Sequence, residues 1–139
     1  MKAVVVYIDG GSRGNPGPAG YGVRVEDHEG RLIAELHGRL GVTTNNVAEY
    51  KGLLAALTFL VRCHHRVARI RSDSELLVRQ MRGEYRVKHP GLVPLHREAT
   101  ALAARLQKVT FEHVRRAENS EADRLANLAM DEGDTIPGP

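Results

Sequence analysis

Six consecutive apolar residues, Ala3–Ile8, close on a single acid, Asp9. A Val-rich run without alternation suits a strand buried on both faces at the centre of a sheet, because a strand with one solvated face would alternate. The rest of the chain therefore has to flank that strand or cover it. After the glycine- and proline-rich stretch GGSRGNPGPAG (10–20), which reads as a turn serving Asp9, Tyr21, Val23 and Val25 alternate with Gly22 and Arg24. DHEG marks a second turn and RLIAELHGR resumes the extended pattern, which predicts an antiparallel meander of three strands. The period then changes. In TTNNVAEYKGLLAALTFLVR, Leu53, Leu57, Leu60 and Val61 recur at helical spacing behind Thr44, Asn45 and Asn46 as capping candidates. VARIRSD reads as a short strand and SELLVRQMRG as a short helix closed by Gly83. Residues 91–107 read as an amphipathic helix, KVTFEHV as a last strand, and NSEADRLANLAMDEG as a last helix. This order predicts an α/β chain: a five-stranded mixed sheet, three antiparallel strands then two parallel, with helices on both faces. One domain over residues 1–131 holds these elements, and 132–139 read as a flexible tail or the start of a linker to a further C-terminal domain.

Composition narrows the partners. Aromatic residues make up 4% with no Trp, too few for the stacking platforms that hold single strands, so any nucleic-acid contact has to lean on polar and charged groups. A net charge of +3 permits a polyanionic partner. The single Cys63 excludes an intramolecular disulfide and a zinc knuckle. In CHHR (63–66) neighbouring positions point in different directions, which argues against a metal site. No apolar run approaches the ~18 residues of a membrane span, and the N-terminus lacks a leader pattern. A cytoplasmic protein without membrane association, and a monomer by default, is the expectation. Neither a GKS/T ending nor a GxGxxG pattern completes the glycine loop, against P-loop or dinucleotide binding.

The chemistry rests on acids placed where an acid is costly. Asp9 ends the central strand and Asp73 ends the other strand that precedes a helix; in open α/β sheets ligands gather at such strand ends. Glu49 shares a helix face with Gly52, Leu53 and Ala56, which points it at the sheet, and Gly52 implies close approach there. Asp123 carries two readings: a fourth acid of the cluster, or the closing residue of a capping box whose cap is Ser120. Ordinary structural readings stand beside the others as well, an Asx-turn for Asp9, a helix N-cap for Asp73 and a border acid for Glu49. Converging acids repel unless cations sit between them. Mg²⁺, which takes few carboxylates and keeps its waters, fits a sparse Asp/Glu cluster, and a pair of such ions implies metal-assisted phosphoryl transfer to water.

The segments YIDGGSRGNPGPAGYG, TTNNVAEYKGLLAAL, IRSDSELLVRQM and HVRRAENSEADRLANLA resemble, in order, the four motif regions of type 1 ribonuclease H, from Tyr7 to Met130. Each motif alone is weak; the ordered set is specific. The resemblance implies a ribonuclease H-like fold. It implies endonucleolytic cleavage of the RNA strand of RNA/DNA hybrids, leaving 5′-phosphate and 3′-hydroxyl ends. It also implies that Asp9, Glu49, Asp73 and Asp123 bind two Mg²⁺ ions, with Mn²⁺ as a substitute. By the same resemblance Asn15, Asn45 and Asn46 contact the hybrid in its minor groove, where a carboxamide can read base edges and 2′-hydroxyls, and Thr44 and Arg13 hold backbone phosphate. Capping is the structural alternative for the asparagine pair.

Two departures from the family pattern matter. Many members carry a His in the loop before the last acid; here the loop is VRRAENSEAD, His113 falls too early, and Arg116 is assigned to the scissile phosphate or product release. The basic insertion some members carry near MRGEYRVKHPGLVPLHRE is missing, leaving Arg79, Arg82, Arg86 and Lys88 as a smaller patch or as solvated surface. Three other readings stay open: a nuclease that also cuts double-stranded RNA, a non-catalytic nucleic-acid-binding module on this fold, and a small-molecule phosphate or nucleotide enzyme.

Overall fold

The structure, a computed structural model, describes residues 2–134. Its elements are β1 (Val4–Ser12), β2 (Gly17–Glu26), β3 (Leu32–Thr43), α1 (Asn45–Arg62), β4 (Val67–Ser72), α2 (Glu75–Met81), α3 (Val93–Ala103), β5 (Lys108–His113), a 3₁₀ turn (Arg116–Asn119) and α4 (Ser120–Asp134). The strands form one sheet in the order β3-β2-β1-β4-β5. β1–β2 and β2–β3 pair antiparallel, β1–β4 and β4–β5 parallel. The expected five-stranded mixed sheet is therefore present, with the apolar run at its centre. β1 is also where the strand order reverses, since the chain builds outward through β2 and β3 and then returns through α1 to β4. A crevice at such a switch point opens at the carboxyl ends of the strands.

Alternation in the central strands sorts the two faces. Val6 and Ile8 lie opposite Val25 and Val23, and all four are wholly buried in the core shared with Tyr50, Leu53, Leu57 and Leu60 of α1 and Leu77 of α2. α4 covers the other face through Ala122, Leu125, Ala126, Ala129 and Met130, all buried. Truncating one of these core leucines to Ala would cost about 2–5 kcal/mol. Among the described residues no helix is long and apolar enough to cross a membrane.

Three expectations need correction. First, the glycine-rich stretch is mostly strand: β1 continues through Gly10 and Gly11, β2 begins at Gly17, and only residues 13–16 turn, with Gly14 at φ +91°. The glycines admit helices instead. A Cβ on Gly10 would lie 2.3 Å from the Ala48 backbone of α1, and one on Gly22 2.3 Å from the Ala122 carbonyl of α4. Second, the amphipathic helix expected over 91–107 spans only Val93–Ala103, because Arg105 and Leu106 close tight turns and the Gln107 N–H donates to the Arg66 carbonyl (2.9 Å), pulling the chain into β5. Third, the SEAD capping box does not form. The 3₁₀ turn runs straight into α4, so Ser120 is already helical, and it is the Arg115 N–H that donates to Glu118 Oε1 (3.2 Å) one turn earlier. α4 continues to Asp134; the remainder of the expected tail, 135–139, lies outside the described residues.

Candidate active site

Parallel register pairs Ile8 with Ser72 and ends there, so Asp9 and Asp73 stand side by side where β4 ends and β1 runs on beside β2 alone. Glu49 reaches the same rim from α1, whose close approach Gly10 and Gly52 permit; a Cβ on Gly52 would sit 3.1 Å from the Asp9 carbonyl oxygen. One carboxylate oxygen from each of Asp9, Glu49 and Asp73 lies within 4.8 Å of the others. Asp123, in the first turn of α4, stands close enough to the Asp9 carboxyl to add to the repulsion on it. The helix caps fall to other residues. Ser74 caps α2 by accepting from the Leu77 N–H (3.2 Å), which releases Asp73 from that duty.

The electrostatics are unfavourable to charge. Asp9, 8% exposed, is pushed up to about 8, chiefly by burial, then by the charges of Asp73 and Asp123; the Gly10 N–H acts the other way. Glu49 is also raised well above the usual carboxylate range, by burial first and then by Asp9 and Asp73, with the Arg116 cation opposing. Glu49 Oε2 is buried without a hydrogen-bond partner among the described residues. A buried oxygen left unpartnered beside two more acids is costly in any apo arrangement. A hard divalent cation would satisfy this oxygen set, so the residues fit one.

Around the acids the remaining predicted residues take distinct places. The Asn45 Oδ1 accepts from both the Ser12 N–H (2.8 Å) and the Ser12 hydroxyl (3.0 Å). Because a backbone N–H can only donate, this orients the amide with its NH₂ directed elsewhere. The Asn45 N–H in turn donates to Asn15 Oδ1 (3.1 Å). Thr44 Oγ1 caps α1 by accepting from the Val47 N–H (3.2 Å), while Asn46 is exposed. Arg13 is ion-paired with Asp131 of α4. Arg116 stands in the 3₁₀ turn beside Glu49, and His113 lies against the Asp73 carbonyl (3.3 Å). The expected basic patch divides: Arg79 is held by Glu75 and Glu84 and Arg82 donates to the Phe111 carbonyl.

Sequence reasoning missed two residues. Asn119 is buried, and its Nδ2 donates to the Ile8 carbonyl (2.8 Å), tying the 3₁₀ turn to β1 one residue before Asp9. Ser12 sets the Asn45 amide. Neither carries a pattern that separates it from ordinary loop polarity, although an Asn between two helix-initiating stretches and a Ser inside a glycine run were the available signals.

A family model described as reverse transcriptase-like matches residues 7–129. The bifunctional protein Rv2228c of Mycobacterium tuberculosis is 51% identical over 130 residues, 92% of this chain; the chain spans 35% of that relative's length. The solved N-terminal RNase H domain of Rv2228c, fused to maltose-binding protein, superposes with TM-score 0.93 at 47% identity, covering 96% of this chain and 97% of the other. The crystal structure of RNase H1 from Halobacterium salinarum matches with TM-score 0.90 at 38% identity, covering 94% and 98%. LC11-RNase H1, solved in complex with an RNA/DNA hybrid, matches with TM-score 0.90 at 39% identity over 95% of this chain and 99% of its own.

Proposed function

The chain belongs to the ribonuclease HI family, and on that premise we propose that it is an endoribonuclease hydrolysing the RNA strand of RNA/DNA hybrids to 5′-phosphate and 3′-hydroxyl ends. The observation that carries the reading is the acid rim itself: three carboxylates within 4.8 Å of one another, one of them with an unpartnered buried oxygen. Two further observations support it, the hybrid bound by a relative of the same fold at 39% identity and the orientation of Asn45.

In this reading Asp9, Glu49, Asp73 and Asp123 hold two Mg²⁺ ions, or Mn²⁺ in their place. Bound there, such ions supply activation of a water and neutralisation of charge on the leaving oxygen. Asp9 and Glu49 lose the protons that burial favours and contribute fixed negative charge. Asn45 turns its NH₂ to the minor groove, with Asn15 and Asn46 beside it, as donors to base edges and 2′-hydroxyls. Arg13 and Thr44 border the strand backbone, and Arg116 neutralises the scissile phosphate.

A non-catalytic binding module would gain by losing four acids that repel a polyanion. Incubating the protein with labelled RNA/DNA hybrid, double-stranded RNA and double-stranded DNA, with Mg²⁺ or chelator, tests the proposal. Metal-dependent cleavage of the hybrid's RNA strand is the expected result; binding without cleavage would favour the module.

A further inference from the structure

His64, His65 and Arg66 of the motif CHHR, which play no part in the acid rim, line an open surface cavity of about 530 Å³ at the opposite end of α1. Arg62 lies thirteen helical steps beyond Glu49, about 20 Å at 1.5 Å per residue. Into that cavity come His64, His65, Arg66, Arg105 and Gln107. No carboxylate is among the lining residues. Several arginines elsewhere are held by acids, Arg24 by Glu26, Arg69 and Arg71 by Glu112, Arg79 by Glu75 and Arg124 by Glu35. Arg66 and Arg105 make no ion pair among the described residues.

The backbone that presents them is closed tightly. The His65 N–H donates to the Leu60 carbonyl (2.9 Å) and the His64 N–H to the Val61 carbonyl (3.3 Å), the two bonds of a Schellman motif, so the last carbonyls of α1 are occupied rather than aimed at the cavity. That motif calls for a left-handed residue, usually Gly, and here it is His64 at φ +58°. A non-glycine residue held in that region is a strain that often marks function. His65 is fixed by stacking on Phe59, centroids 5.9 Å apart at 26°. The N–H groups of Gln107 and Lys108 both donate to the Arg66 carbonyl (2.9 and 3.1 Å), which ties the backbone of the 105–108 segment to that of Arg66.

We propose that this cavity is a phosphate-binding site, separate from the acid rim, that takes a free phosphate or the phosphate of a nucleotide or nucleic-acid strand. Two unpaired guanidiniums supply planar forks matched to phosphate oxygens, and the imidazoles and the Gln107 amide add donors.

The test is a ¹H–¹⁵N titration in EDTA, so that the acid rim holds no cation, with inorganic phosphate, adenosine monophosphate and a short single-stranded oligonucleotide at matched ionic strength. Saturable shifts at the amides of His64, His65, Arg66 and Gln107 are expected. An oligonucleotide that binds about tenfold tighter than phosphate identifies a strand contact, and equal affinities identify a small-anion site. The pair Arg66→Ala, Arg105→Ala should lose at least about tenfold in affinity. His64→Gly should melt higher and bind phosphate more weakly. Shifts confined to the acid rim, no saturable shift, or binding unchanged in the arginine pair or in His64→Gly would overturn the proposal.

Discussion

Glu49 and Tyr50 are neighbours on one helix and both bring a polar group out of water, yet they meet opposite surroundings. The Tyr50 hydroxyl, buried, donates to Gln80 Oε1 (2.7 Å). The His96 ring stands edge-on to the Tyr50 ring at 6.3 Å and its Nε2 lies 3.3 Å from the Gln80 carbonyl, so this group is closed within the protein. Glu49 instead ends among acids with an oxygen that no group among the described residues satisfies. The Tyr50 hydroxyl finds its partner inside the chain; the Glu49 oxygen, set among other carboxylates, is one that a cation from outside would satisfy.

The sharpest way to break that contrast is to remove charge from the rim. Asp9→Asn and Asp73→Asn should each lower hybrid cleavage by ~10³-fold or more while far-UV circular dichroism stays native. Asp123→Asn should likewise disable rather than unfold, since Asp123 closes no capping box; loss of the folded spectrum in that variant would reinstate the capping role.

A second effect appears in stability. Asp9 and Glu49 have folded-state pKa values above their unfolded ones, so their contribution is full below the ordinary carboxylate range and is lost as pH rises through the folded-state values, about 8 for Asp9. In chelator the unfolding free energy should fall between pH 6 and pH 9 by an amount on the order of 2 kcal/mol, seen as a lower thermal midpoint. Mg²⁺ should restore it, and metal-free Asp9→Asn should be more stable than the parent at pH 8. A flat profile in chelator would remove the repulsion argument.

The architectural half is probed by Tyr50→Phe, which leaves the Gln80 amide oxygen unpaired and should cost about 1–3 kcal/mol in urea denaturation. Its cleavage rate should stay within about twofold of the parent at a temperature where both are folded, because Tyr50 does not reach the rim. Smallest is Ser12→Ala: the Ser12 N–H still holds Asn45, so KM for hybrid should rise only ~2–5-fold, with stability within about 0.5 kcal/mol.

Much of this was readable from the chain because burial and periodicity write themselves into residue type. The run Ala3–Ile8, the alternation after Tyr21 and the three- and four-residue steps of α1 and α4 predicted the sheet and its cover, and Asp9, Glu49 and Asp73 stood out as acids at strand ends or on an inward helix face. What stayed hidden depended on long-range contact. Gly10 and Gly20 look like turn residues until α1 and α4 are docked on them, since the lack of a Cβ signals a tight turn and a tight helix contact alike. Ser120 and Asp123 fit a capping box until a 3₁₀ turn, invisible in the pattern, precedes them. Asn119 acts through one hydrogen bond across 111 positions and Ser12 through two across 33, spans which no local window contains.

The helix-to-strand contacts at Gly10 and Gly22 also say how such a chain can change over generations. The separation between Glu49 and Asp9 is gauged by main chain resting on main chain, not by the girth of any side chain in the core. Leucines and valines beneath can drift in size and shape while that gauge stays put. Inherited variation is therefore tolerated where bulk is exchanged for bulk, and punished where a single methyl is added to a glycine.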